Sequence, residues 1–222
     1  MVAQSPTPAQ VQTEDGSLTL RARTHGETYH SRHGARQESL HVFIDAAGLA
    51  HRLASGQVSI LEIGFGTGLN LALALDLLAP DHGSLHYVGF EPDLPPVSAR
   101  ASVLAAGGVT PQSADRVLQL ANHGRLTDTG LDLLLRTEPF PAPLNSRFDV
   151  IWHDAFSPAN APELWTPDLL AAEFTLLRPG GVWVSYCARG AVRRALQDAG
   201  FIVERLPGPP GKREMLRATR PL

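Results

Sequence analysis

The sequence predicts an α/β domain whose sheet is mostly parallel and doubly wound, with an antiparallel C-terminal strand. Three observations predict it. Short apolar runs alternate with helix-like segments, as in repeated βαβ units. One run, through Ile63, leads directly into Gly64-Phe65-Gly66-Thr67-Gly68 and then an apolar helix. Three runs end in a carboxylate: Glu62, Glu91 and Asp154. Together they indicate a Rossmann-like architecture, in which ligands lie beyond the carboxyl ends of the strands.

The elements follow in order. Residues 1–17, rich in Pro, Gln, Ser and Thr, read as a flexible tail, and Leu18 to Arg23 alternates as a strand does. The stretch from Thr28 to Phe43 is polar and His/Arg-rich before turning apolar at Val42. Ser59 to Ile63 is the first core strand. Leu69 to Leu78 is apolar nearly all round, as a helix packed on a sheet is. Leu85 to Phe90 is the second strand. Pro95 to Ala106 and Ser113 to Ala121 are helices separated by Gly107-Gly108. Leu131 to Leu135 is the third strand, and Pro139, Pro141 and Pro143 make a loop.

Phe148 to His153 is the fourth strand. Thr166 to Leu177 is a helix with Thr166 as N-cap and Pro167 in its first position. Arg178-Pro179-Gly180-Gly181 turns into a fifth strand, Val182 to Tyr186. Ala191 to Ala199 is amphipathic and ends at Gly200. Phe201 to Leu206 and Glu214 to Ala218 close the sheet as an antiparallel pair.

The 222 residues and 43% hydrophobic content suit one domain with a real core. No apolar run approaches a membrane span, and the N-terminus lacks the pattern of a secretion signal. Cys187 is the sole cysteine, which excludes an intrachain disulfide and fits a reducing cytoplasm. The scattered histidines and absent ligand spacings predict no metal site. Nothing in the sequence sets an oligomeric state.

Charge is uneven. From Arg178 onward eight arginines and Lys212 face three acids, a balance of +6. The remainder therefore carries −9 of the overall −3. Arg21, Arg23, Arg32 and Arg36 form a second basic cluster. Such clusters on an acidic body have the look of a phosphate-binding face, or of an ordinary solvated surface.

The glycine spacing is G-x-G-x-G, whereas a dinucleotide fold shows G-x-G-x-x-G around a pyrophosphate. An acid two residues before the first glycine suits a ligand with an amine and no phosphate. That describes S-adenosylmethionine better than NAD. The predicted cofactor residues are Glu62, Gly64, Phe65, Gly66, Thr67, Gly68 and Asn70. Glu91, 23 residues after Gly68, is placed to accept ribose hydroxyls. Asp154 is the predicted orienting or proton-accepting group for a nitrogen nucleophile, with Phe156 packing on a base or the adenine.

EIGFGTGLN, FDVIWHDAFSPANAPELWT, LLRPGGVWVSY, AVRRALQDAGF and GKREML occur in that order. From about Tyr29 to Leu216 the chain resembles the methyltransferase domain of the MnmC-type tRNA wobble-uridine family. The resemblance implies a class I S-adenosylmethionine-dependent methyltransferase fold over 18–222, with 18–57 as an N-terminal extension. It implies N-methylation of 5-aminomethyl(-2-thio)uridine at the tRNA wobble position. The bifunctional relatives carry a further flavin oxidoreductase domain; with the sequence ending at Leu222, a stand-alone methyltransferase is the expectation. The tRNA-binding set is then Arg189, Arg193, Arg194, Lys212 and Arg213. The chain departs from the family at Arg136-Thr137, where a Gly-Asp pair stands, leaving Thr137 as a weaker adenine contact. It also lacks a loop lysine at Ala159-Asn160-Ala161-Pro162, and an aromatic after Gly190. Two other readings remain open at this level: a methyltransferase for a small-molecule or protein amine, and a non-catalytic RNA-binding domain.

Overall fold

The computed structural model describes residues 8–78 and 83–222. Strands β1 (Gln10–Gln12) and β2 (Leu18–Leu20) pair antiparallel as a hairpin. Residues 1–7 of the expected tail lie outside the described residues, but 8–17 are not a tail. The Asp15 carboxylate accepts from the Thr13 hydroxyl (2.7 Å) and from the Ser17 backbone N–H (3.0 Å). Gly16 supplies the left-handed φ of 84° that this turn requires. Composition suggested disorder, while the Asp15-Gly16 turn signal pointed the other way.

Helix α1 (Ala35–Glu38) runs into a π-helical segment, Ser39–Asp45, and then α2 (Leu49–Ala54). These elements occupy the stretch the sequence left polar and undefined. They bury Val42, Phe43, Ile44, Leu49 and Leu53 against one face of the sheet. Next come β3 (Gln57–Ile63), α3 (Leu69–Leu75), β4 (Ser84–Phe90), α4 (Val97–Ala106) and α5 (Pro111–His123). Thr110 caps α5 by accepting from the Ser113 N–H. A short strand not expected from the sequence, β5 (Arg125–Asp128), pairs antiparallel with β6 (Leu131–Arg136).

The second half contains β7 (Phe148–His153), a 3₁₀ turn at Pro162–Trp165, α6 (Pro167–Leu176), β8 (Leu177–Ser185), α7 (Gly190–Asp198), β9 (Ile202–Pro207) and β10 (Glu214–Thr219). Thr166 caps α6 and Pro167 opens it, as the sequence predicts. The expected turn at Arg178–Gly181 lies instead inside β8, where its register against β7 slips between Phe148 and Val150.

The main sheet has the order β5-β6-β4-β3-β7-β8-β10-β9. Strands β6, β4, β3, β7 and β8 are parallel, and β10 runs antiparallel to both neighbours. The chain leaves β3 toward β4 and β6, then returns to β7 on the other side of β3. A crevice opens at that reversal of strand order. Trp152, from β7, packs with Phe43 and Tyr87 on one face. Trp183, from β8, packs on the other with α6 and α7. Among the described residues no helix is long and apolar enough to cross a membrane.

Behind β7 the fully buried Glu173 carboxylate bonds two core side chains. Its oxygens meet His153 Nδ1 at 2.8 Å and accept from Trp183 Nε1 at 2.5 Å. Glu173→Ala leaves both ring nitrogens unpaired and opens a void. The expected loss is about 3 kcal/mol, because each orphaned buried group costs roughly 1–3 kcal/mol. Calorimetry should show a Tm lower by about 6–12 °C; an unchanged Tm rejects this account of the α6–sheet contact.

Candidate active site

The glycine loop and the acidic loops of the site follow strand ends on the crevice edge. After β3 the Gly64 and Phe65 N–H groups both donate to Phe90 O, at 3.0 and 3.1 Å, binding the loop to the end of β4. Gly64 and Gly66 have φ of 92° and 54°, where side chains are strained. A Cβ on Gly64 would fall on the Asp154 backbone carbonyl, and one on Gly66 would come within 2.9 Å of the Tyr29 ring. Gly68 faces the protein interior, against Phe65 and Val117.

Three carboxyl groups follow. Glu91 accepts from the Gly66 N–H (2.9 Å) with one oxygen and the Asp93 N–H (3.1 Å) with the other. Burial nevertheless pushes its pKa up to about 7. Glu62 is fully buried beneath the loop. It accepts from Asn70 Nδ2 at 2.8 Å and from the Tyr87 hydroxyl, and burial raises its pKa to about 8. Asp154 also accepts from Asn70 Nδ2, at 2.8 Å. Burial, then the charges of Glu38 and Glu62, hold its carboxyl well above the usual range. One amide thus bridges Glu62 and Asp154.

The N-terminal extension forms the opposite wall. Tyr29 meets Phe156 edge-on at 5.2 Å, and His25 stacks on Phe156 at 4.3 Å. Glu27 accepts from the Ser157 N–H (3.1 Å), the Ser157 hydroxyl and Asn160 Nδ2 (2.5 Å). His30 is buried, and desolvation pulls its imidazole down to about 4, so it is neutral at pH 7. The loop after β7 is held from the scaffold side too. The Tyr186 hydroxyl donates to Ala155 O (2.8 Å), and Trp165 Nε1 donates to Phe156 O (2.7 Å). The enclosed cavity is about 800 Å³, within the range of small-molecule sites.

Of the residues predicted from sequence, Gly64, Phe65, Gly66, Glu91, Asp154, Phe156 and Lys212 line this cavity. Glu62, Thr67, Gly68 and Asn70 do not; they are packed beneath it. Thr137 is exposed and stands outside the lining, whereas Pro139, Phe140 and Leu164 are part of it. Phe140 packs edge-on against Phe90 at 5.1 Å, so its position is fixed by the core. Lys212 was grouped with surface arginines, but its ammonium pairs with Glu38 Oε1 at 2.5 Å inside the cavity. Arg189, Arg194 and Arg213 are exposed and form no ion pair among the described residues. Arg193 bonds Gln197 one turn on. Sequence reasoning missed Glu38, Tyr186, Glu27 and His25; only Tyr186, closing the VWVSY run, carried a strand-end signal. Among the described residues no cluster of three metal-ligating side chains occurs.

The chain is similar to several known proteins. A family model described as S-adenosyl-L-methionine-dependent methyltransferase matches residues 129–221. The tRNA 5-methylaminomethyl-2-thiouridine biosynthesis bifunctional protein MnmC of Chromohalobacter salexigens is 33% identical over 97% of this chain and 33% of its own length. That of Pseudomonas aeruginosa is 35% identical over 95% of this chain and 35% of its own. The chain spans about a third of the length of these curated relatives. The crystal structure of MnmC2 from Aquifex aeolicus superposes with a TM-score of 0.81 and 28% identity, covering 99% of this chain and 74% of that one. Magnesium protoporphyrin IX methyltransferase from Synechocystis PCC 6803, solved with bound S-adenosylmethionine, shares the fold at a TM-score of 0.53 and 14% identity, over 85% of this chain and 81% of its own.

The buried acid under the loop makes a pH prediction. Glu62 titrates near 4.5 when unfolded and about 8 when folded. The folded state therefore binds the extra proton between those values. Its stabilising contribution is complete below pH 4.5 and is lost as pH rises through 8. In Glu62→Gln the Tyr87 hydroxyl can rotate to accept from the new amide. The Tm of this variant relative to wild type should climb by several degrees between pH 6 and pH 9. A pH-independent difference would show that Glu62 does not titrate in this range.

Proposed function

We propose that this chain, an S-adenosylmethionine-dependent methyltransferase by fold and a relative of the MnmC-type proteins, N-methylates 5-aminomethyl(-2-thio)uridine at the wobble position of tRNA. The observation that carries the reading is the meeting of Gly64, Gly66, Glu91 and Asp154 on one cavity at the ends of three adjacent strands. A glycine cradle beside a carboxylate fits a nucleoside ligand, and the volume accommodates the cofactor with an acceptor group. When bound, S-adenosylmethionine supplies a methyl group already activated by its sulfonium.

The residues of this chain do the rest. Each Glu91 oxygen takes one backbone N–H and has further acceptor capacity, which suits ribose hydroxyls. Phe140 and Leu164 offer an apolar surface for the adenine. An amine reacts only when unprotonated. Asp154 faces the cavity with Oδ1 free of protein donors among the described residues, while Oδ2 is held by Asn70. Burial raises its pKa, so in its ionised form the carboxylate is a stronger base toward an amine than an exposed aspartate is. Phe156, pinned by Trp165 and flanked by His25, presents a ring on which a base can stack.

The tRNA assignment rests on the named relatives and on the unpaired arginines. Arg189 stands at the N-cap position of α7, a few residues past β8, and Arg213 lies in the loop entering β10, both at the cavity edge of the sheet. Arg194 reaches back toward the start of the same helix. We propose the cytoplasm, where tRNA is modified, as the site of action.

The test is incubation with labelled S-adenosylmethionine and tRNA carrying 5-aminomethyluridine at the wobble position, followed by nucleoside analysis. Methylation of that nucleoside is expected, and Asp154→Asn should lower kcat by about 10²–10⁴-fold with little change in cofactor affinity. Absence of transfer with intact cofactor binding would move the search to other amine acceptors. Replacing Arg189, Arg194 and Arg213 together by Ala should weaken tRNA binding irrespective of sequence. The slope of log affinity against log salt should shrink by about 2–3; an unaltered slope would make these arginines ordinary surface.

A further inference from the structure

Lys212 comes from a basic run, yet it points inward. Its ammonium lies 2.5 Å from Glu38 Oε1 and 3.7 Å above the centre of the Tyr186 ring. The pair is anchored on all sides. Glu38 is 5% exposed, and its other oxygen accepts the Ser31 N–H at 2.6 Å. Tyr186 is held through its hydroxyl to Ala155 O, one residue past Asp154. Lys212 thus reaches from the β9–β10 loop to α1 across the floor of the cavity.

An ammonium has three donors. Glu38 takes one, and the ring face attracts the charge without consuming the remainder. Donor capacity is left over, and Lys212 lines the cavity with its side chain 31% exposed. Asp154 lines the same cavity with an unengaged acceptor oxygen, close enough for the lysine charge to act on it. A fixed donor and a fixed acceptor therefore face one volume. Their chemical complement is a ligand with an amine beside a carbonyl oxygen. On a pyrimidine bearing a 5-aminomethyl group, the ring carbonyl at C4 is that neighbour.

Resting on the acceptor class argued above, we propose that Lys212, positioned by Glu38 and Tyr186, is a specificity-determining residue that donates to the ring carbonyl next to the acceptor amine and so delivers the amine to Asp154. It is not a phosphate contact. The two roles give different signatures. A phosphate contact acts on any tRNA and contributes to the salt dependence of binding. A ring-carbonyl contact acts only when a wobble uridine occupies the cavity, so a tRNA without a wobble uridine does not feel it.

The experiment measures wild type, Lys212→Met and Glu38→Gln with three readouts. These are S-adenosylmethionine affinity, affinity for tRNA lacking a wobble uridine across a salt series, and kcat and KM for tRNA bearing 5-aminomethyluridine. Lys212→Met should lose about 10- to 100-fold in kcat/KM, the worth of a hydrogen bond to a charged group. Its affinities for cofactor and for tRNA lacking a wobble uridine should match wild type. Glu38→Gln, which keeps the shape and removes the counter-charge, should lose kcat/KM in the same selective way, so the proposal does not hang on one variant. Weakened binding of the tRNA lacking a wobble uridine, with a shallower salt slope, would overturn the proposal in favour of a phosphate contact. Full activity of Lys212→Met would overturn it outright. Failure of the wild type to methylate the modified tRNA is a separate result, which removes the acceptor class and this inference with it.

Discussion

The close approach of the ends of β3 and β7 governs the site. Asp154 N–H donates to Ile63 O at 2.8 Å, and Gly64 lies so near the Asp154 carbonyl that no Cβ fits between them. That contact sets the glycine loop and the acidic loop side by side. It explains why Gly64 is a glycine for reasons of packing as much as of dihedral angle. Every other feature of the cavity is arranged around this junction: Asn70 beneath it, Glu91 on the β4 side, Tyr186 on the β8 side.

Electrostatics at the junction follows from burial. Glu62, Glu91 and Asp154 all have raised pKa values, with desolvation as the leading cause in each. Three adjacent carboxyl groups repel one another when ionised, and Asn70 offsets this for only two of them. A site with surplus acceptor capacity and few cations favours ligands carrying amines or hydroxyls. Of the cations on its lining, Arg21, Arg32 and Lys212, the last is paired with Glu38.

The N-terminal extension is part of the site and not an appendage. Its hairpin is fixed by Asp15 and Ser17, whose hydroxyl accepts the Ala35 N–H at 3.1 Å and so joins the hairpin to α1. From there Glu27, Tyr29 and His30 reach over the glycine loop and the loop after β7. Glu27 makes the polar link between this wall and Ser157. The cavity is closed by segments from both ends of the chain, α1 and the β9–β10 loop meeting at Glu38 and Lys212.

Much of the fold was legible because its signals are local. Apolar periodicity, the Thr166-Pro167 start and the glycine turn each depend on a few neighbouring residues, so the parallel core, the antiparallel final strand and the positions of Glu91 and Asp154 could be read directly. The hairpin at residues 10–20 was missed because composition outweighed one Asp-Gly turn, and the helices at 35–54 because a polar stretch hides a narrow apolar face. The sequence by itself determined the architecture and the edge on which the acids gather. Only the tertiary structure decided which side chains face the ligand space: Glu62, Asn70 and Thr67 beneath it, Thr137 outside it, and Phe140, Tyr186, Glu38 and Lys212 within it. The reason is distance along the chain. Lys212 and Glu38 are 174 residues apart, and no local pattern records a contact that exists only once both ends fold onto the sheet.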